Sequence, residues 1–372
     1  DVKRVINMRD LRSEDSGEVC GPKAANLGQL KALFPDKVVE GIVIPFGIFR
    51  SHLDQAMPGG GGQSYWEFIN SRFTIARLME KEGKSEAEVE AYTLEQLQIL
   101  RDAIMLIRLE PELVNAIRDS FASVFGDRLG NVPVFVRSDT NMEDLPNFTG
   151  AGLNLTLFNV VKPTDILQGI KRVWASPYTE RSYKWRQHYL LNPENVFPSI
   201  LIIPSVDVNN SGVMITKGVS SGDVDDITVA FSRGAGGAVE GQAAEAYLLG
   251  QDGTTTLLSP ARERLHRRLP VSGGSTMVPS AFNQRILSPK NLRDLRELAE
   301  EVEKVMPSSP GIESTGPWDV ELGFKDDKIW LFQIRPFVEN KRAQSSDYLA
   351  SISPEKLEGF YLDLHAALET SK

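Results

Sequence analysis

The sequence predicts an α+β protein of two lobes, helix-rich first and strand-rich second. Three observations carry this. Residues 64–126 hold helical patterning with few β-branched runs, Leu97, Leu100, Ile104 and Ile107 among the apolar positions. From Pro198 the character changes, and SILIIPSVDV, SGVMIT and DITVAF read as strands. Near the end, WDVELGF and KIWLFQIRPF form a pair of strands around a charged turn. The division expected is a first lobe over 1–195, a second over 196–338, and a polar connector with one helix over 339–372.

Taken in order, the N-terminal DVKRVINMRDLRSED is charged and carries no apolar signal segment. The chain starts at Asp1, which reads as a processed chain or a fragment. The run Gly59–Gly62 after Met57-Pro58 reads as a loop between helices. VPVFVR over 132–137 is a short buried strand. After Lys162-Pro163-Thr164 comes a helix with Ile166, Leu167, Ile170, Val173 and Trp174 on one face, followed by a basic continuation from Arg181 to His188. In the second lobe Ser288 caps a helix whose first position is Pro289, with Leu292, Leu295, Leu298, Val302 and Val305 as its stripe.

Composition narrows the function classes. The 372 residues are 41% hydrophobic and 24% charged, enough apolar material for a real core. The net charge is −9, which disfavours general binding of nucleic acid or an anionic membrane. No apolar run approaches a membrane span of about 18 residues. Cys20 is the only cysteine, so there is no disulfide framework or Cys-rich zinc site within the chain, and a reducing, cytoplasmic setting is expected. The four histidines are scattered, with no metal-ligand spacing.

The most informative segment is Asp319-Val320-Glu321-Leu322-Gly323 followed by Ile329 to Arg335. Side chains alternate along strands, so Asp319 and Glu321 share one face, and Gln333 and Arg335 share a face with Leu331. Trp330, Phe332 and Ile334 take the opposite side. Packing the apolar faces together brings Asp319, Glu321, Gln333 and Arg335 onto one surface. The register must then pair Glu321 with Gln333 and Asp319 with Arg335, which predicts an odd-length loop centred on Asp327. A two-residue turn at Asp326-Asp327 would put them on opposite faces. Two carboxylates and an amide are hard oxygen donors suited to Mg²⁺, and the arginine suits a polyphosphate. On patterning alone the same residues also describe a solvated face with a salt bridge.

Three further segments combine small residues with a cation. Arg137-Ser138-Asp139-Thr140 ends a buried strand and leads to Thr149-Gly150-Ala151-Gly152, where backbone amides could approach an anion. Gly21-Pro22-Lys23-Ala24-Ala25-Asn26-Leu27-Gly28 puts a lysine at a glycine turn before a helix, without P-loop spacing. Arg233-Gly234-Ala235-Gly236-Gly237 follows DITVAF as a candidate phosphate or ribose loop. Gly218-Val219-Ser220-Ser221-Gly222 matches a nucleophile elbow in letters only, because a strand rather than a helix follows it.

In this order the segments resemble the nucleotide-binding domain of the phosphoenolpyruvate synthase and pyruvate phosphate dikinase family, an ATP-grasp fold. GPKAANLGQL is similar to the family's opening motif. FVRSDTNMEDLPNFTGAGL resembles its phosphate loop, most of all the version in glucan water dikinases. Glu321 to Gln333 keeps the twelve-residue step of the closing signature. The likeness covers roughly 17–338. It implies that Lys23, Arg137 and Arg335 hold the phosphates of ATP, with Thr149 in the phosphate loop. It implies further that Glu321 and Gln333 hold Mg²⁺ with Asp319 beside them, and that the strand at Leu201 and Ile202 meets adenine through its backbone. In the family a phosphoryl group passes from ATP to a histidine on a swivelling domain, which this sequence lacks; that domain would lie in the same full-length chain or act in trans. Ile203 and Gly237 depart from the family pattern at positions that serve adenine and ribose, and Glu240 stands displaced. The rival readings are an antibiotic or glucan phosphotransferase on the same scaffold, and a degenerate module without catalysis.

Overall fold

The computed structural model describes residues 2–142, 155–189, 194–237 and 244–339. The first lobe runs through β1 (Ile6–Asn7), α1 (Pro22–Leu33), β2 (Ile42–Ile44), α2 (Phe46–His52), α3 (Tyr65–Lys81), α4 (Glu86–Ile104), α5 (Pro111–Ser120), β3 (Val134–Thr140), β4 (Thr156–Val160), α6 (Pro163–Ala175), α7 (Glu180–Tyr189) and β5 (Pro198–Pro204). The second holds β6 (Asn210–Ile215), β7 (Ile227–Arg233), β8 (Glu245–Leu249), β9 (Thr255–Ser259), β10 (Leu265–Arg268), β11 (Thr276–Pro279), α8 (Pro289–Val305), β12 (Trp318–Lys325) and β13 (Lys328–Pro336). The α+β architecture of two lobes is as the sequence predicts.

Local chemistry fixes the helix starts. Ser64 and Ser85 form capping boxes with Glu67 and Glu88, each side chain taking the other residue's backbone N–H. Ser288 does the same with Asn291, and Pro289 occupies the first helical position. Between α2 and α3 the glycine run is a turn, with Gly59, Gly61 and Gly62 at positive φ.

The first sheet is antiparallel in the order β1-β2-β5-β3-β4. β5 is a central strand covered on both faces, which is why its sequence is a continuous apolar run rather than an alternating one. Ile200 and Ile202 face the helical layer with Phe49, Ile170 and Trp174. Leu201 and Ile203 face α1 and the second lobe. This corrects the division expected at residue 195. β5 completes the first sheet, so the chain crosses between lobes at 205–209, after Pro204. The compositional change at Pro198 marks a buried central strand, not a lobe boundary.

The second sheet has the order β13-β12-β6-β7-β8-β9. The stripe of α8, with Leu295, Leu298 and Val302 fully buried, packs in one cluster with Trp318, Val320 and Leu322 of β12. β10 and β11 form a separate two-stranded ribbon. Gly218–Gly222 lies in the turn between β6 and β7, as its context required. Among the described residues no helix is long and apolar enough to cross a membrane. The expected helix beyond residue 339 lies outside the described residues.

The terminal hairpin keeps the predicted pairs, Asp319 with Arg335 and Glu321 with Gln333, but reaches them differently. A two-residue turn is present after all, with Asp326 and Asp327 at φ 50° and 61°. A bulge between Glu321 and Leu322 inserts Phe332 and restores the register. The expected faces change with it. Leu331 pairs with Leu322 in the core instead of joining the polar face. Trp330 pairs with Gly323, and Phe332 lies over Gly323, where a Cβ would come within 3.2 Å of its ring.

One buried junction sets the first lobe's functional end. Gly21, the N-cap of α1, has no side chain to offer the first-turn amides. The fully buried Asp139 of β3 takes this role from outside: its carboxylate accepts Lys23 N–H at 3.0 Å and Ala24 N–H at 2.8 Å. The Ser199 hydroxyl of β5 accepts Gly21 N–H at 2.9 Å and donates to the Asp139 carbonyl at 2.8 Å. A Cβ on Gly21 would fall 2.2 Å from the Asp139 carboxylate, so only glycine fits. Replacing Asp139 by Ala orphans two buried donors and is expected to cost about 3 kcal/mol in chemical denaturation, with Asn losing less. A change of the Ala variant below about 0.5 kcal/mol, the range of surface substitutions, would refute this role.

Candidate functional site

A cavity of about 240 Å³ lies between the two sheets. The first lobe contributes one face of β3 and β4. Arg137 pairs with Thr156 in the ladder, and the aromatic rings of Phe135 and Phe158 meet edge-on with centroids 5.5 Å apart. All four line the cavity, as do Ile203, Pro204, Val206 and Val208 at and beyond the end of β5. The second lobe contributes Ser211 and Gly212 of β6, Ala235 and Gly236 of the glycine loop, Glu321 and Phe332. The cavity is thus mostly apolar and aromatic, with Arg137, Arg267 and the carboxylate of Glu321 in its lining. That polarity suits a flat heterocycle carrying an anionic tail.

The polar end is assembled by the terminal hairpin. Arg335 Nε donates to Asp319 Oδ2 at 2.9 Å, an ion pair with the guanidinium more exposed than the carboxylate. Glu321, two pairs further along the ladder, is opposite Gln333. Burial pushes the Glu321 carboxyl above the ordinary glutamate range, Asp319 adds to the rise, and Arg335 and Arg137 pull it down. Arg137 belongs to the other lobe, and both it and Glu321 line the cavity. Lys23 stands at the rim rather than in the lining, its Nζ donating to the Ser138 carbonyl at 2.9 Å, next along the strand from Arg137.

Two expectations change. Leu201 and Ile202 cannot offer backbone to a ligand: both are fully buried, outside the cavity, and paired with β2 on one side and β3 on the other. The residues that reach the cavity are Pro204, at the end of the ladder, and Val206 and Val208 beyond it. The glycine loop also differs from a free phosphate loop. Arg233 turns away from the cavity to pair with the buried Glu263 at 2.9 Å and to donate to the Gln284 carbonyl at 3.1 Å. The Ser211 hydroxyl holds the loop's shape, donating to the Gly234 carbonyl at 2.7 Å and accepting Gly236 N–H at 3.0 Å. Thr149 and Glu240 lie outside the described residues.

Sequence reading missed Thr156, Phe158, Ser211 and Arg267 as cavity residues. Thr156 and Phe158 alternate in phase on β4, a signal that was available. Arg267 comes from the separate ribbon, and nothing in its local sequence marks it.

As to a metal, the donor set fits a hard divalent cation: the carboxylate of Glu321, the amide of Gln333 and the nearby Asp319 are all oxygen donors. Among the described residues no group of three His, Cys, Asp or Glu side chains could hold a metal ion by itself. A Mg²⁺ here would therefore complete its shell with phosphate oxygens and water, its usual habit.

Similarity to known proteins identifies the family. The chain is 26% identical to a probable phosphoenolpyruvate synthase of Methanothermobacter thermautotrophicus, over 90% of this chain and 46% of that protein. It is 25% identical to a rifampicin phosphotransferase of a Streptomyces species, over 89% of this chain and 36% of the relative. It is 26% identical to the phosphoenolpyruvate synthase of Pyrococcus furiosus, over 73% and 34% respectively. The chain thus spans less than half the length of these relatives. Residues 17–356 match the family described as the pyruvate phosphate dikinase AMP/ATP-binding domain, and the chain belongs to that family.

Proposed function

We propose that the interlobe cavity binds MgATP and that this chain is the phosphoryl-donor part of a dikinase-like phosphotransferase of the phosphoenolpyruvate synthase type. The observation that carries the reading is that Arg137 of one lobe and Glu321 of the other line one cavity with Phe135 and Phe158, while the Asp319–Arg335 ion pair stands on the same hairpin as Glu321. The base would lie against Phe135 and Ile203, with the Pro204–Val208 segment at its edge. Arg137, Arg335 and Lys23 would hold the phosphates, and Glu321 and Gln333 a Mg²⁺ ion. That ion would neutralise developing charge on the phosphates, while the side chains act by positioning and charge complementarity. The acceptor would be a histidine on a domain outside this chain. A rifampicin phosphotransferase among the relatives supports a second reading, in which the final acceptor is an antibiotic. Sequence beyond this domain decides between them. A cytoplasmic location is proposed with either.

Ligand binding to the native state raises its melting temperature by mass action, so saturating MgATP should stabilise the chain. Glu321→Ala and Arg335→Ala should each weaken MgATP at least about tenfold by calorimetry, from the loss of a charge-assisted contact. Both variants should stay folded, since Arg335 is 57% exposed and Glu321 sits at the cavity wall. Parent-like MgATP affinity in both would remove the site assignment, and absence of any shift in the parent would favour a degenerate module.

The raised pKa of Glu321 gives a signed pH dependence. Burial penalises its charged form, so without a cation its ionisation costs stability as pH rises through the raised value. Glu321→Gln should therefore melt no lower than the parent at neutral pH without ligand, yet gain less from MgATP. In the parent, MgATP affinity should fall on acidification from above the ordinary glutamate range. Melting curves across pH with and without MgATP read both effects. A Gln variant that is less stable alone but fully stabilised by MgATP contradicts the assignment.

A further inference from the structure

The β10–β11 ribbon bridges the lobes. At its tip it is gripped by Asn159 of β4, a buried residue held at φ 51°. The Asn159 amide donates to the Pro270 carbonyl at 2.6 Å and the Gly274 carbonyl at 2.8 Å, and its own carbonyl accepts Gly274 N–H at 2.8 Å. At the same end, where β10 runs into the turn, the ribbon is fixed to the segment that crosses between lobes. Arg268 pairs with Asp207 at 2.7 Å, and Asp207 also accepts Leu269 N–H at 2.9 Å. The Arg267 carbonyl accepts Ala235 N–H at 3.3 Å. That contact needs Gly234, at φ 71°, where a Cβ would stand 2.1 Å from the Arg267 carbonyl oxygen. Arg267 is thus carried between three anchors, and it lines the cavity with its guanidinium 5.5 Å from the Phe158 ring.

Its position along the cavity follows from the strands. Phe158 lies two residues from Thr156, and Phe135 two from Arg137, on the same faces. Arg267, at the Phe158 ring, therefore lies beside the position two residues along β4 from Thr156, the ladder partner of Arg137. If the outer phosphates sit between Arg137 and Glu321, the next anionic group inward is the α-phosphate. A guanidinium binds phosphate in a bidentate fork and is planar enough to lie against an aromatic ring while doing so.

We infer that Arg267 is a further nucleotide-binding residue, held over the cavity by the Asn159-locked ribbon, and that it binds the α-phosphate, so that the domain separates a nucleoside monophosphate from its nucleoside. This rests on the cavity being the nucleotide site. The test is calorimetry on the 372-residue chain with MgATP, with AMP in EDTA and with adenosine in EDTA. The parent should bind AMP about tenfold or more tightly than adenosine, the scale of one charge-assisted hydrogen bond. Arg267→Ala should abolish that preference and leave adenosine binding unchanged, and Arg267→Lys should restore part of it. Melting curves report folding, and if the Ala variant is destabilised the Lys variant carries the comparison. A parent that binds MgATP but does not prefer AMP, an Ala variant that keeps the preference, or one that loses AMP and adenosine equally, overturns the inference and leaves the nucleotide site standing. A parent that binds neither MgATP nor AMP removes both.

Discussion

The carboxylate of Asp139 against the first amides of α1 is the contact on which the functional end depends. A helix N-terminus presents unpaired N–H groups and partial positive charge, and burying it requires an acceptor. Here the acceptor comes from a sheet strand, so satisfying the helix also fixes where the helix sits. Ser199 closes the arrangement by bonding Gly21 and Asp139 at once. α1, β3 and β5 are therefore locked together within a few residues of Arg137 and Lys23. Two cations of the first lobe are placed by hydrogen bonds that have no slack.

The second lobe is tied to that junction through shared apolar burial. Leu201, Ile203 and Val43 of the first sheet belong to the same buried cluster as Leu27 and Leu30 of α1 and Trp318, Val320 and Leu331 of the second sheet. A backbone bond from Leu331 to the Lys37 carbonyl, 2.8 Å, joins β13 to the segment after α1. α1 thus serves both lobes, as cap-bound neighbour of β3 and as packing partner of the second core. This is how residues more than 180 positions apart, Arg137 and Glu321, come to share one electrostatic environment.

Much of this was legible in the sequence, for identifiable reasons. Pro289 after Ser288 and the alternation of β12 are local signals, and each appears where the pattern put it. The pairs Asp319–Arg335 and Glu321–Gln333 were readable because polar residues must share a face away from the core. The mechanism of that register was not. A two-residue turn and a bulge give the same outer pairs as an odd loop, and only three-dimensional packing chooses; Gly323 makes the room that Phe332 takes. The lobe boundary was misplaced because a central strand and a strand of the next lobe are equally apolar. Arg267 and the role of Asp139 were hidden because both act across long sequence separations, on partners that no local spacing announces.

The hairpin also divides labour between two like charges. Asp319 and Glu321 project from one face two residues apart, roughly 7 Å, and the Asp319 charge raises the proton affinity of Glu321. Arg335 is bonded to Asp319 and not to Glu321. Asp319 is thereby compensated within the protein, at the more exposed end of the strand. Glu321 receives only the longer-range pull of Arg335 and Arg137, which does not offset its burial. One carboxylate is spent on orienting an arginine, and the other is left under-compensated beside an amide oxygen donor at the wall of a cavity. A folded protein tolerates such a group only because the surrounding sheet holds it there. On the proposed reading, a cation arriving with its own anionic ligands would relieve that deficit, and the burial that penalises the charged carboxylate would favour a metal–polyphosphate complex.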